Sequence, residues 1–450
     1  MAPYLVHSPA DREAMLSAIG IDSLEPLLSD IPAQLRLQKL DLPDGLSEAE
    51  TMARLLELAG RNRIFPDRLT FRGGGVYRRF IPQAVPAITG KGEFYTAYTP
   101  YQPEASQGTL QSIFEFQTMI AELTALDAAN ASLYDGATAV AEAAMMAVVQ
   151  TGRHKVVVAG YLHPEYAEVL AGFAQGRRFH VLQSPAENGV VDPQRLAADL
   201  DGDVAAVVFQ QPNFLGLLED AGELVEAAHQ AGALAIACVD PINLALLAPP
   251  GEYGADIAVG EGQQLGLAPS FGGPHVGFMA CRQELIRRLP GRLVGQAHDG
   301  RGRRGFVLTL QAREQHIRRE KATSNICTNH ALCALAATVY LGYMGPDGLR
   351  EVAEVSLSRA HFLHDRLTAG AGCADAFPGT AFVNEFPLRV SDPDALLGRL
   401  EAKGILGGLP AARWFPELED VLIFCCTELN DPAAIEELVA ASAAPVGAAT

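Results

Sequence analysis

Lysine is scarce in this chain. Only five occur among 450 residues, at positions 39, 91, 155, 321 and 403, so chemistry that needs a lysine amine has few places to find one. Cysteine is present without paired metal spacing: the seven thiols are scattered, no CxxC occurs, and Cys425 and Cys426 adjoin inside an apolar run. This usage argues against a zinc site or a disulfide scaffold and for buried thiols in a reducing cytoplasm. Positive charge is also short. With 34 Lys and Arg against 53 Asp and Glu the formal net charge is −19, which disfavours nonspecific binding to nucleic acid or to an anionic membrane. No stretch reaches the ~18 uninterrupted apolar residues of a membrane span. The opening MAPYLVHSPADREAML has neither a basic region nor a continuous apolar run, so no signal peptide is expected. What is there suits packed cores: 49% of residues are hydrophobic and 19% charged, far from a disordered composition. The length allows roughly two to four domains.

Residues 8–60 read as a helical arm. Ser8 caps SPADREAML with Pro9 in the first turn, and Ser47 opens SEAETMARLLELAGRN, which ends at Gly60. Three glycines at 73–75 follow in FRGGGVYRRF; no strand is expected before them, so they read as a turn rather than a phosphate loop. In FYTAYTPYQPEASQ, Tyr95, Tyr98 and Tyr101 sit three apart among Thr99, Gln102, Glu104, Ser106 and Gln107. Pro100 and Pro103 bar a regular helix there. Such tyrosines can pack on a partner while offering hydroxyls to a polar ligand, or they can anchor the loop to its own core. An amphipathic helix follows, with Ile113, Phe116, Ile120 and Leu123 on one face. At Asp135-Gly136-Ala137-Thr138 a turn feeds another helix. Its free N–H groups and the Thr138 hydroxyl could meet a phosphate, or Asp135 could simply cap it.

From His154 onward apolar strands alternate with helices, which implies a mainly parallel sheet covered on both faces. Functional groups then gather at the carboxyl ends of strands, where His163, Gln211, Asn213 and Asp240 fall. Asp240 ends the run ALAIACVD. In aminotransferase-like pyridoxal phosphate enzymes an Asp at a strand end pairs with the pyridine nitrogen, and a lysine roughly two dozen residues later forms the Schiff base. Here that place reads Gly262-Gln263-Gln264, with Gln263 standing for the lysine, and an amide forms no Schiff base. Lys321 is the one lysine after Asp240 in the large domain, but its segment REQHIRREKATSN reads as a charged, helix-like solvated face. A catalytic lysine belongs at a strand-to-loop junction with its pKa lowered by burial. The stretch 287–321 holds ten of the 34 basic residues and reads as solvated surface rather than a seat for an acidic partner. Next, Thr323, Ser324, Asn325 and Thr328 form a polar knot at the head of a long apolar helix, more than capping alone explains. After Gly345 the pattern is that of a small α+β domain. Three regions are expected: a helical arm (1–65), a large α/β domain (66–340) and a small domain (341–450).

FYTAYTPYQPEASQG, ANASLYDGATAVAEA, VGEGQQLG, SFGGPH, REQHIRREKATSNICT and the closing GILGG with FPELEDVLIFCCTE together resemble the P-protein family of the glycine cleavage system. The likeness is to the subunit-1 type of the two-subunit glycine dehydrogenase (decarboxylating), over nearly the whole chain; FRGGGVYRRF departs from the family's FLGAGAYRHY-like run. The resemblance implies a pyridoxal phosphate fold type I architecture and a homologous second subunit, in an α2β2 assembly, that carries the lysine and binds the pyridoxal phosphate, with none bound covalently to this chain. It implies glycine as substrate and a lipoylated H-protein as acceptor of the aminomethyl group. Tyr95 to Gln107 and Thr323 to Thr328 then reach the interface, the second of them helping to fix the cofactor phosphate, while Asp135, Thr138, His163 and Asp240 form a vestigial cofactor site. A self-sufficient enzyme using Lys321, or a scaffold without catalytic part, are the alternatives.

Overall fold

The computed structural model describes residues 6–37, 41–62, 69–370 and 372–443. Two compact units divide the chain at residues 67 and 68. In the first, two helices start as the sequence predicts. Ser8 and Glu48's neighbour Ser47 each accept the N–H of the third helical residue, and Asp11 and Glu50 reach back to the cap N–H groups, so the helices Pro9–Ile19 and Glu48–Ala59 both open with a complete capping box. Between them lie short 3₁₀ turns rather than a continuous helical arm.

The second unit is built on a seven-stranded sheet. In chain order its strands are β1 (Ala128–Ala129), β2 (Lys155–Ala159), β3 (His180–Ser184), β4 (Val204–Gln211), β5 (Leu234–Val239), β6 (Ile257–Glu261) and β7 (Gly277–Cys281). Their spatial order is β1-β7-β6-β5-β4-β2-β3. β6 to β3 along that order run parallel, while β7 is antiparallel to both β6 and β1. Side chains alternate across the pleat: Val157, Val207, Phe209, Ala235 and Ala237 enter one core, and Val156, Val158, Val208, Ile236 and Val259 enter the other. Helices bury their apolar faces on each side, with Phe116, Leu224 and Tyr340 in the first core and Val140, Ala143 and Met146 in the second.

A smaller antiparallel sheet, ordered Cys373–Asp375, Glu385–Val390, Val421–Cys425, Leu409–Pro410, packs with Phe71, Leu363, Leu367, Leu438 and their neighbours into a third core. The long helix Ala331–Gly370 touches both layers and breaks at Gly345 (φ 62°, ψ −176°), just before Pro346. Only glycine takes that backbone conformation readily, and proline cannot continue the ladder behind it. A two-residue strand, Leu69–Thr70, does precede the three glycines and pairs with Ile405–Leu406, contrary to the sequence reading. Among the described residues no helix is long and apolar enough to cross a membrane, and no cluster of His, Cys, Asp and Glu has the makings of a metal site. Six of the seven cysteines are buried.

Candidate functional site

The parallel strands bring His163, Gln210, Asp240, Glu261 and Gln264 together at their carboxyl ends, where ligands bind in open α/β sheets. Asp240 follows β5. Its Oδ1 accepts the N–H groups of Ile242 (2.8 Å) and Asn243 (3.1 Å), and its Oδ2 accepts Nε2 of Gln264 at 2.8 Å. The side chain that faces the carboxylate is therefore Gln264, one residue beyond the Gln263 assigned from sequence. Gln263 turns away: its amide clamps the backbone of Tyr77 (2.9 and 3.0 Å) and donates to the Leu267 carbonyl. The Gln264 oxygen accepts Nε of buried Arg79, whose Nη1 pairs with Glu428 at 2.8 Å and donates to Ser356. Every polar atom of the Gln264 amide is thus tied to a protein partner.

The N-terminus of the helix Gly136–Thr151 is likewise filled from within. Asp135 caps it by accepting the Thr138 N–H at 2.7 Å. Glu261, at the end of β6 and 8% exposed, accepts the Gly136 N–H at 3.0 Å with one oxygen and the N–H groups of Gln263 and Val276 with the other. An anion at this position is what the free N–H groups and helix dipole favour; the chain supplies the anion itself. His275 stands 3.5 Å from the same carboxylate, which draws its pKa upward against burial. The Tyr166 hydroxyl lies so near Gly136 that a Cβ there would collide with it.

His163 stacks on Tyr166, with centroids 4.4 Å apart and planes 18° from parallel. Its Nδ1 accepts the Glu165 N–H, so Nε2 carries the hydrogen and donates to the Gly74 carbonyl at 3.0 Å. Burial lowers its pKa and keeps the ring neutral. Here the glycine run finds its reason. Gly74 and Gly75 have positive φ, and a Cβ on Gly75 would lie 2.6 Å from the His163 ring. The Gly74 N–H and the Tyr77 hydroxyl donate to buried Glu385 at 2.7 and 2.5 Å, while burial pushes that carboxyl up to about 7. What space is left between Tyr77, His163, Tyr166, Asp240 and Gln264 amounts to about 30 Å³. That admits a water or two; a ring with a phosphate needs a pocket of several hundred Å³. The residues of this site do not fit pyridoxal phosphate.

A second cavity, of about 360 Å³, lies beneath the tyrosine loop. Tyr95, Tyr98, Thr99 and Thr328 line it together, as do His330 and Arg292. Tyr95 and Tyr98 are 68% and 81% exposed, large aromatic surface left uncovered by the chain's own core. The other loop residues singled out from sequence do not line this cavity. Tyr101 presents its ring to the Arg292 guanidinium at 5.7 Å. Gln107 fastens the loop's end to the hairpin of strands Leu293–His298 and Arg304–Thr309, exchanging two hydrogen bonds of 2.9 Å with the Phe306 backbone. Gln102 and Glu104 are exposed, and Ser106 has no capping hydrogen bond. The polar knot is divided: Thr328 joins the tyrosines, Asn325 is exposed, and Thr323 and Ser324 line a separate small crevice beside Glu314. Sequence reasoning missed Glu261, Tyr166 and Arg292. An acid ending an otherwise apolar strand, and an arginine set between Pro290-Gly291 and Leu293-Val294, were the available signals.

Residues 2–441 match the model of the family described as glycine cleavage system P-protein. A relative named probable glycine dehydrogenase (decarboxylating) subunit 1, from Moorella thermoacetica, is 50% identical over 440 residues, covering 97% of this chain and 98% of its own. The crystal structure of a glycine decarboxylase (P-protein) of the glycine cleavage system, in inhibitor-bound form, superposes with a TM-score of 0.90 at 47% identity, over 98% of this chain and 99% of that one. A sphingosine-1-phosphate lyase from Burkholderia pseudomallei shares the fold alone, with a TM-score of 0.66 at 14% identity over 93% of each chain. The architecture is that of pyridoxal phosphate fold type I enzymes.

Proposed function

The chain belongs to the glycine cleavage system P-protein family, and from that premise we propose that it is the subunit without the Schiff-base lysine in a two-subunit glycine dehydrogenase (decarboxylating) in the cytoplasm. A homologous second subunit carries the Schiff-base lysine and binds the pyridoxal phosphate, in an α2β2 assembly, and a lipoylated H-protein receives the aminomethyl group. The observation that carries this reading is the contrast between two sites. At Asp240 the side chain that faces the carboxylate is an amide, Gln264, and the space is closed by Glu261, His163 and Tyr166. Beneath the loop, by contrast, Tyr95, Tyr98, Thr99 and Thr328 line an open cavity with exposed tyrosine faces.

When bound by the partner, pyridoxal phosphate supplies the electron sink for loss of carbon dioxide from glycine. This chain's part is to position and to exclude water. Decarboxylation requires the breaking Cα–carboxyl bond to stand perpendicular to the electron sink and the carboxylate to be stripped of solvent. Two tyrosine rings with hydroxyl ends, flanked by the Thr99 and Thr328 hydroxyls, offer an apolar wall with donors along its rim.

The test is glycine-carboxyl exchange with bicarbonate, measured on the complex assembled with the lysine-bearing subunit and a lipoylated carrier. Tyr95→Phe and Tyr98→Phe each lower exchange about tenfold, the worth of one hydrogen bond to a charged group, while assembly is unchanged. Wild-type exchange from both variants would take the loop out of the mechanism. Loss of assembly without loss of turnover per complex would favour a scaffold.

A further inference from the structure

Arg292 stands between Gly291 and the hairpin strand Leu293–His298, and its residue is 3% exposed. Arg79, buried to a similar degree, meets Glu428, Ser356 and Gln264. Arg292 has no such company. Its Nε is buried without a hydrogen-bond partner, and among the described residues no carboxylate lies within ion-pair distance of its guanidinium. Its one described side-chain contact of this kind is the face of Tyr101. A guanidinium shut in this far without an anion has given up much of its hydration, an unfavourable state that an anion bound in the cavity relieves.

The guanidinium lies at the wall of the cavity beneath the tyrosine loop, where no Asp or Glu takes part in the lining. Asn329 is already committed to the Ala131 carbonyl and the Ser132 hydroxyl, and His330 uses Nδ1 on the His275 carbonyl. The cavity therefore presents a single permanent charge, positive, together with the hydroxyls of Tyr95, Tyr98, Thr99 and Thr328. A planar fork of N–H donors ringed by hydroxyls is the chemistry that recognises a carboxylate.

We propose that Arg292 anchors the carboxylate of the amino-acid substrate, supplying from this chain the counter-charge that holds glycine in the shared site. The inference rests on the functional reading above and adds to it the residue that sets carboxylate recognition. A carboxylate could also come from the partner subunit, and the experiment separates the two sources.

Binding of glycine, acetate and methylamine to the assembled pyridoxal phosphate-loaded complex is measured by equilibrium dialysis for wild type, Arg292→Gln and Arg292→Lys, with assembly followed by analytical ultracentrifugation. Arg292→Gln weakens glycine and acetate about 10- to 100-fold, the loss of a charge-assisted pair. Methylamine, which has no carboxylate, binds as before, and Arg292→Lys falls between the two because it keeps the charge but not the fork. Glycine and acetate bound as tightly by both variants as by wild type would overturn the proposal. So would a complex that dissociates in Arg292→Gln while whatever remains assembled binds glycine normally, since Arg292 would then serve a partner carboxylate. Should Arg292→Gln fail to fold, the Lys variant alone decides on the same two ligands. Turnover is read separately: a wild-type complex that binds these ligands through Arg292 without exchanging glycine's carboxyl would sink the functional reading and leave the anchor standing.

Discussion

Glu142 lies on the helix Gly136–Thr151 with 3% of its surface exposed, and burial raises its carboxyl to about 7. A hydrogen bond from Ser324 and the more distant charge of Arg177 pull the other way without prevailing. So one residue of the polar knot is spent on holding a buried acid. The sign of the consequence follows from linkage. Unfolded, the group titrates near 4.5; folded, it holds its proton up to about 7, so between those values the native state binds more protons than the unfolded one. Stability from this group is complete below pH 4.5 and is lost as pH rises through 7. Glu142→Gln removes the titration. It leaves stability unchanged near pH 4 and raises it at pH 8 by on the order of 1–3 kcal/mol, as chemical denaturation at the two pH values will record. A gain of equal size at both would mean that packing, not ionisation, separates the two side chains.

At the scale of elements, the N-terminus of that same helix is a built anion site whose anion is Glu261. Glu261→Ala strands three buried N–H groups, on Gly136, Gln263 and Val276. Each such group left unmatched costs about 1–3 kcal/mol before water re-enters. The variant is expected to lose about 2–4 kcal/mol in urea unfolding; a loss below 0.5 kcal/mol, the size of a neutral surface change, would mean that the carboxylate is not what holds this junction. Much of this region was legible in the sequence. The alternation of apolar strands with helices implies the parallel sheet, the strand-end rule puts His163 and Asp240 at its carboxyl edge, and capping is one of the two roles the sequence leaves open to Asp135. Glu261 was not legible as a phosphate substitute because its partner Gly136 lies 125 residues away, and no local pattern encodes that meeting. That Gln264 rather than Gln263 faces Asp240 is hidden in the sequence for a related reason. Which of two adjacent glutamines faces Asp240 depends on how the chain turns after β6, a matter of backbone path that residue type does not specify. Arg292 was concealed by its neighbours in the stretch 287–321, where charge density suggested a solvated face although this one side chain points inward. The glycines at 73–75 read in sequence as a plain turn, whereas they let the backbone pass close to His163 and Glu385.

At the scale of the whole molecule, the four lysines among the described residues stand where they cannot take up a cofactor at Asp240. Lys155 opens β2 and pairs with Asp201 at 2.6 Å, Lys91 and Lys403 are exposed, and Lys321 sits exposed on a 3₁₀ turn, Arg319–Lys321, after a helix of only four residues. None of these four lines the cavity at Asp240. The segment that reads as helix-like in sequence is thus mostly turn, and its exposed lysine has neither the burial nor the strand-end setting of a Schiff-base lysine. The isolated chain is therefore expected to retain no pyridoxal phosphate through gel filtration, and the mixture with a lysine-bearing homologue is expected to retain it on the other chain, both read from visible absorbance. Restoring the amine does not by itself restore the site. In Gln264→Lys the new ammonium reaches Asp240, but Glu261 still occupies the helix N-terminus, and Tyr77, His163 and Tyr166 still leave about 30 Å³. The Glu261 carboxylate is not displaced for a phosphate while the N–H groups it satisfies remain buried. We expect Gln264→Lys to stay colourless after incubation with pyridoxal phosphate and reduction with borohydride. A stable adduct at residue 264, located by peptide mass analysis, would show that one amide, rather than the packing around it, separates this subunit from a cofactor-bearing one.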